Sequence, residues 1–101
     1  MPNMQRLGHN IKFSSSESQD YRLYLRAGIM LGRVGRHVRA RDVLAKGLQL
    51  SPENIDLQYN YALACAMSGN NREAVEMTRK IIIHAPYFAK ARWLLEQIDQ
   101  E

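Results

Sequence analysis

The sequence predicts an all-α chain built from repeated helical hairpins, and three observations carry that expectation. Laid over itself at an offset of 34, the chain places Gly35 on Gly69, Ala40 on Ala74, Lys46 on Lys80, Pro52 on Pro86 and Leu23 on Leu57. Leu25/Tyr59, Ile29/Leu63, Asp42/Glu76, Val43/Met77 and Leu48/Ile82 are conservative pairs in the same register. Within each copy the apolar residues recur at helical spacing, as in Ala40, Val43, Leu44, Gly47 and Leu48, the i, i+3, i+4, i+7, i+8 stripe of a helix with one buried face. Of the three prolines and six glycines taken together, most fall where such segments should end. A fixed period of tens of residues marks units that bury their apolar faces against one another in a stack.

Taken in order, residues 1–19 read as a flexible arm. They hold no acid before Glu17 and run into Ser14-Ser15-Ser16-Glu17-Ser18, a polar stretch that favours caps and loops. Met4, Leu7 and Ile11 nonetheless lie at helical spacing with Phe13 close behind, so the arm is also a candidate to dock on the repeats of this chain or of a neighbour. Arg6 and Lys12 are too few, and Pro2 and Gly8 too disruptive, for a mitochondrial transit peptide. The first helix starts at Ser18 or Asp20, both good N-caps, and runs to Gly32 or Arg33. In it Ala27 and Gly28 are expected to admit a close neighbour, with Tyr24 and Leu31 filling the space on either side. Gly35 closes the turn.

The second helix spans about Val38 to Leu50, and Ser51-Pro52 reads as N-cap and first residue of the third, where proline lacks only an N–H that would be unpaired anyway. Leu57, Tyr61, Ala62 and Cys65 stand in the third helix where Leu23, Ala27, Gly28 and Leu31 stand in the first. Gly69-Asn70-Asn71 is a turn, after which Ala74, Met77, Thr78 and Ile81 face inward to about His84. A fifth helix, about Tyr87 to Gln100, carries Ala91, Leu94, Leu95 and Ile98.

A period of 34 with Gly and Ala in the middle and Pro closing each unit resembles the tetratricopeptide repeat, a helix-turn-helix unit that stacks into a superhelix. The resemblance implies a domain over residues 20–101, with repeats at 21–54 and 55–88 and a capping helix at 87–100. A solenoid needs a polar-backed helix to cover its last apolar face. Gln58 departs from the large aromatic expected at the first signature position, and Tyr61 and Cys65 invert the usual sizes around it.

Composition removes several function classes. With 46% hydrophobic and 24% charged residues in 101, the chain is an ordinary globular domain. Its longest apolar run, Ala62 to Met67, is far short of the ~18 residues that span a bilayer. A lone cysteine, Cys65, excludes an internal disulfide and leans toward the cytoplasm. His9, His37 and His84 have no second ligand at i+3 or i+4, so no metal is expected. Gly32-Arg33-Val34-Gly35 is a helix end rather than a phosphate loop, so no nucleotide cofactor is expected either. Ser, His and acid occur in no catalytic arrangement, and the reading is not an enzyme.

Two surfaces remain. In tetratricopeptide proteins the first helix of each repeat lines a concave groove, and the resemblance carries that role onto Leu25, Ile29, Tyr59, Asn60, Leu63, Met67, Lys90 and Trp93. Such a groove suits an amphipathic helix or an extended segment of another protein; the alternative is that these residues are covered as core. Asn60 and Lys90 match the clamp by which some members hold a peptide carboxylate, but Leu25, Ile29 and Leu94 replace its other residues, which argues against a clamp. The second surface is basic. Residues 1–50 hold nine Lys or Arg against three acids, residues 51–101 five against seven. Arg22, Arg26, Arg33, Arg36, Arg39 and Arg41 cluster around the first turn, beside His37, where they would steer acidic partners. Nucleic acid is the rival ligand, but the aromatic stacking platform it needs is missing. In size and repeat number the chain is similar to the small chaperones of bacterial type III secretion systems, which implies a chaperone that holds a secreted subunit and is marginally stable or self-associated without it; an adaptor, or a co-chaperone that recruits larger machinery, is an equal alternative.

Overall fold

The computed structural model describes residues 19–99, which fold as five α-helices in sequence. These are α1 (Tyr21–Arg33), α2 (His37–Leu50), α3 (Ile55–Met67), α4 (Asn71–His84) and α5 (Ala89–Ile98). The arm expected over residues 1–19 lies, but for Gln19, outside the described residues. Each helix packs on the next, α1 also touches α3 and α3 touches α5, whereas α2 and α4 stay apart. α1, α3 and α5 are therefore the inner layer of a bent stack, and α2 and α4 its splayed outer layer.

The two hairpin turns are the same structure made twice. Gly35 and Gly69 have φ of +83° and +88°, the left-handed conformation in which a Cβ costs about 1–2 kcal/mol. After α1 the Gly35 N–H donates to the Gly32 carbonyl and the Arg36 N–H to that of Leu31, at 3.1 and 2.8 Å. After α3 the Gly69 N–H donates to Ala66 and the Asn70 N–H to Cys65, at 3.1 and 2.7 Å. This double bond pattern satisfies the carbonyls left over at a helix end.

The connections between hairpins correct the sequence reading. Ser51 ends α2, its N–H donating to the Gly47 carbonyl. Pro52 and Glu53 then form the centre of a turn closed from the Asn54 N–H to the Ser51 carbonyl at 3.2 Å. The N-cap of α3 is Asn54, whose Oδ1 accepts the Leu57 N–H at 2.9 Å. Proline thus serves at the second position of a tight turn, where its fixed φ fits, rather than inside the helix. Ala85-Pro86-Tyr87-Phe88 repeats the turn, and α5 begins at Ala89, with Tyr87 exposed outside it. Asp20 caps α1 in the way Asn54 caps α3, accepting the Arg22 N–H at 3.0 Å.

Two apolar clusters hold the layers together. Ala40 and Leu44 of α2 meet Leu57 and Ala64 of α3, with Tyr21, Leu25 and Leu31 of α1 against them. Ile81 and Ala85 meet Ala91, with Tyr59, Met77 and Phe88 around them. Each fully buried Leu or Ile contributes about 1.5–3 kcal/mol, so the seams between helices supply much of the stability.

The close approaches fall on glycines, and here too the reading shifts. A Cβ on Gly28 would lie 2.4 Å from Leu44 Cγ, and one on Gly47 would lie 2.8 Å from Leu57 Cδ2. Ala27, expected to share this role, is exposed; Gly47 on the facing helix supplies the second contact. Gln58, the departure from the aromatic, is 4% exposed and donates from Nε2 to the Pro52 carbonyl at 2.7 Å. A buried amide there ties α3 to the turn that precedes it. Thr78, also buried, donates to the Ala74 carbonyl at 2.8 Å.

Candidate functional site

The inner layer meets solvent along one line of side chains from each helix. Tyr59, Leu63 and Met67 follow one another at i, i+4 and i+8 on α3, and Leu25 and Ile29 at i and i+4 on α1, so each set lies on a single helix face. Between α1, α2 and α3 this face opens into a cavity of about 400 Å³. Ile29, Leu63, Met67, Ala40, Leu44 and Ala64 form its walls, Gly28 and Gly32 its floor, and Arg33, His37 and Asn60 its polar groups.

The expected groove residues divide into those at the cavity and those away from it. Ile29, Asn60, Leu63 and Met67 line it together, and Met67 is 56% exposed. Leu25 is half-buried against the cluster of Leu44 and Leu57. Tyr59 is half-buried against the second cluster, with its ring edge-on to Phe88 at 5.6 Å between centroids. Lys90 Nζ sits 5.8 Å from the Tyr59 ring centroid, within reach of a cation–π attraction. Trp93 on α5 is 53% exposed, further along the same layer.

Sequence reasoning placed Gly32 on the groove-lining face of α1 but did not anticipate Gly28 and His37 as cavity residues. The available signal was the glycine pair at i and i+4 on α1, which removes two side chains from one helix face. At Gly32 an added Cβ would meet nothing within 4 Å, so the space above it is open.

The arginines do not act as one field. Arg22 pairs with Asp20 at 2.9 Å and holds its carboxyl below the usual carboxylate range. Arg41 is only partly exposed and lies 3.5 Å from Asp42. Arg26, Arg33, Arg36 and Arg39 are exposed, and only Arg33 reaches the cavity. Among the described residues no acid lines that cavity, and Arg33 places positive charge there.

On the other edge of α3, the Tyr61 hydroxyl donates to Glu73 Oε2 at 2.5 Å, and Asn70 Nδ2 donates to Glu73 Oε1 at 3.1 Å. These bonds lock the second hairpin. Burial, then the Glu73 bond, push the Tyr61 phenol well above its ordinary range, and burial pushes up the Tyr59 phenol and the Cys65 thiol. Among the described residues no group of three or more His, Cys, Asp or Glu could hold a metal ion, and no helix is long and apolar enough to cross a membrane.

No curated protein matches the chain. The family model described as Tetratricopeptide repeat matches residues 33–98, which takes in α2 to α5 and both proline turns. With the 34-residue internal repeat and the paired glycine turns, this match places the chain in the tetratricopeptide repeat family, whose members are protein–protein interaction modules.

Proposed function

We propose that the chain binds a segment of a partner protein along its inner layer, and that one apolar anchor of that segment enters the cavity between α1, α2 and α3. The observation that carries this reading is the cavity itself, about 400 Å³ with Ile29, Leu63 and Met67 on its walls and glycine on its floor. That volume lies within the roughly 300–1,000 Å³ of ligand sites, and an anchor the size of Leu or Phe gains about 1.5–3 kcal/mol there on burial. An amphipathic helix or an extended stretch with apolar residues presents such anchors. Arg33 at the rim offers donors to the carbonyls or carboxylates beside the anchor. Adaptor and chaperone forms of this reading differ in the protein alone. A chaperone of the type III secretion kind is marginally stable or self-associated without its client and gains stability with it by mass action, whereas an adaptor melts as a well-formed monomer.

The test uses a panel of synthetic amphipathic-helical and extended peptides, with binding read by fluorescence anisotropy at low and high salt. Wild type should bind at least one peptide in a way that survives high salt, and Leu63→Glu with Met67→Glu should weaken it by at least about tenfold, the usual scale for a buried anchor. Met67→Glu alone, at a 56% exposed position, guards against loss of fold, which a melting curve monitors. Binding that salt abolishes and both variants retain would move the site elsewhere. Tyr59 is a poor choice for this purpose, since its ring supports Phe88.

A further inference from the structure

The outer edge of α1 carries a second apolar line, independent of the cavity: Leu23, Ala27 and Met30, at i, i+4 and i+7. Leu23 is 49% exposed, Met30 61%, and Ala27 is exposed as well. The repeat itself shows what such an edge is for. In α3 the equivalents of Leu23 and Met30 are Leu57 and Ala64, at 0% and 5% exposure, packed on Ala40 and Leu44 of α2. In α5 the equivalent of Leu23 is Ala91, at 0% exposure on Ile81 of α4. Twice, then, this edge of an inner helix is covered by the outer helix before it. On α1 no described helix takes that place.

The borders of the edge are basic. Arg26 is the equivalent of Asn60, which faces the inner-layer cavity, so it stands on the inner border. Arg39 is the equivalent of Glu73, which bonds to Tyr61, the equivalent of Ala27, so it stands on the outer border beside Ala27. A second copy of the chain would set these arginines against themselves. Residues 1–18 carry Arg6 and Lys12 against the one acid Glu17, and in the repeat register they put Arg6 and Asn10 where α2 has Ala40 and Leu44, both 1% exposed. Neither occupant fits in charge.

We propose that this edge docks an acidic amphipathic helix of a partner protein, seated on Leu23, Ala27 and Met30 as α2 is seated on α3, with carboxylates against Arg26 and Arg39. The apolar line gives affinity, and the arginines select sign and speed encounter.

The full chain is titrated with a synthetic 14-residue helix, the length of α2, bearing Leu at i, i+4 and i+7 with Glu on both flanks, and with a twin bearing Lys instead. The Glu peptide should bind, and the Lys twin should bind at least about tenfold more weakly at low salt, the gap closing as salt screens the charges. Leu23→Glu or Met30→Glu should cost at least about tenfold, Met67→Glu, which alters the inner-layer cavity, should leave the preference for the Glu peptide over the Lys twin in place, and Arg39→Glu should shift preference toward the Lys twin. Equal binding of both peptides, or none, overturns the proposal. So does concentration-dependent self-association abolished by Leu23→Glu, which gives the edge to a second copy. Tighter peptide binding by a Leu7→Ser, Ile11→Ser variant would give it to residues 1–18 and overturn the proposal equally.

Discussion

Replacing Gly28 with alanine separates the packing argument from helix propensity, because the two predict opposite signs. In a helix interior Gly→Ala ordinarily gains up to about 1 kcal/mol. Here the new Cβ would lie 2.4 Å from Leu44 Cγ and 2.5 and 2.9 Å from its two methyl carbons. Leu44 is 1% exposed, and its branch point, not a free end, is what must move. Overpacking of a closed core costs about 1–3 kcal/mol, so the net effect is a loss of about 1 kcal/mol, or about 4–8 °C in Tm for a domain of this size. Gly32→Ala is the control: nothing lies within 4 Å of its Cβ, and it should raise Tm by the propensity term alone. A double-mutant cycle with Leu44→Ala makes the cause explicit. That change alone should cost about 2–5 kcal/mol, and less beside Ala at position 28, with a coupling of about 0.5–3 kcal/mol. Thermal melts by circular dichroism read all four proteins. A Gly28→Ala variant that melts no lower than wild type, or an additive cycle, refutes the close approach of α1 and α2.

Two further predictions follow from groups that no family pattern marks. Gln58→Leu removes the donor to the carbonyl of the exposed Pro52 and should cost about 0.5–1.5 kcal/mol in denaturant unfolding; an unchanged midpoint would mean that the turn does not depend on this amide. Stability should also fall on the alkaline side. The Cys65, Tyr59 and Tyr61 pKa values are all raised by folding, so above about pH 9 the folded chain holds more protons than the unfolded one, and unfolding free energy declines as pH rises. That stability is fully present below the unfolded values, about 8.5 for Cys and 10 for Tyr. Tyr61→Phe should flatten the decline above pH ~10, and a melting temperature level from neutral to strongly alkaline pH would contradict the burial of these groups.

The repeat was readable because it is written in residues whose chemistry admits few substitutes. Gly35 and Gly69 both adopt positive φ, and Pro52 and Pro86 both occupy tight turns, so the offset of 34 appears before any apolar pattern is considered. The helix starts were less readable. Ser51-Pro52 and Asn54 are all competent signals within four residues, and only the Asn54 bond to the Leu57 N–H decides between them. Gln58 looked like a flaw in packing because its letter says nothing of the carbonyl 2.7 Å away. Burial on the two faces of α1 was beyond reach for a deeper reason. Leu23 and Leu57 are the same residue at the same repeat position, yet one is 49% exposed and the other 0%, because burial belongs to the pair of helices and not to either sequence. A repeat specifies the edge it presents and not what lies against it; the proposed partner helix answers Arg26 and Arg39, on the borders of this edge, with carboxylates.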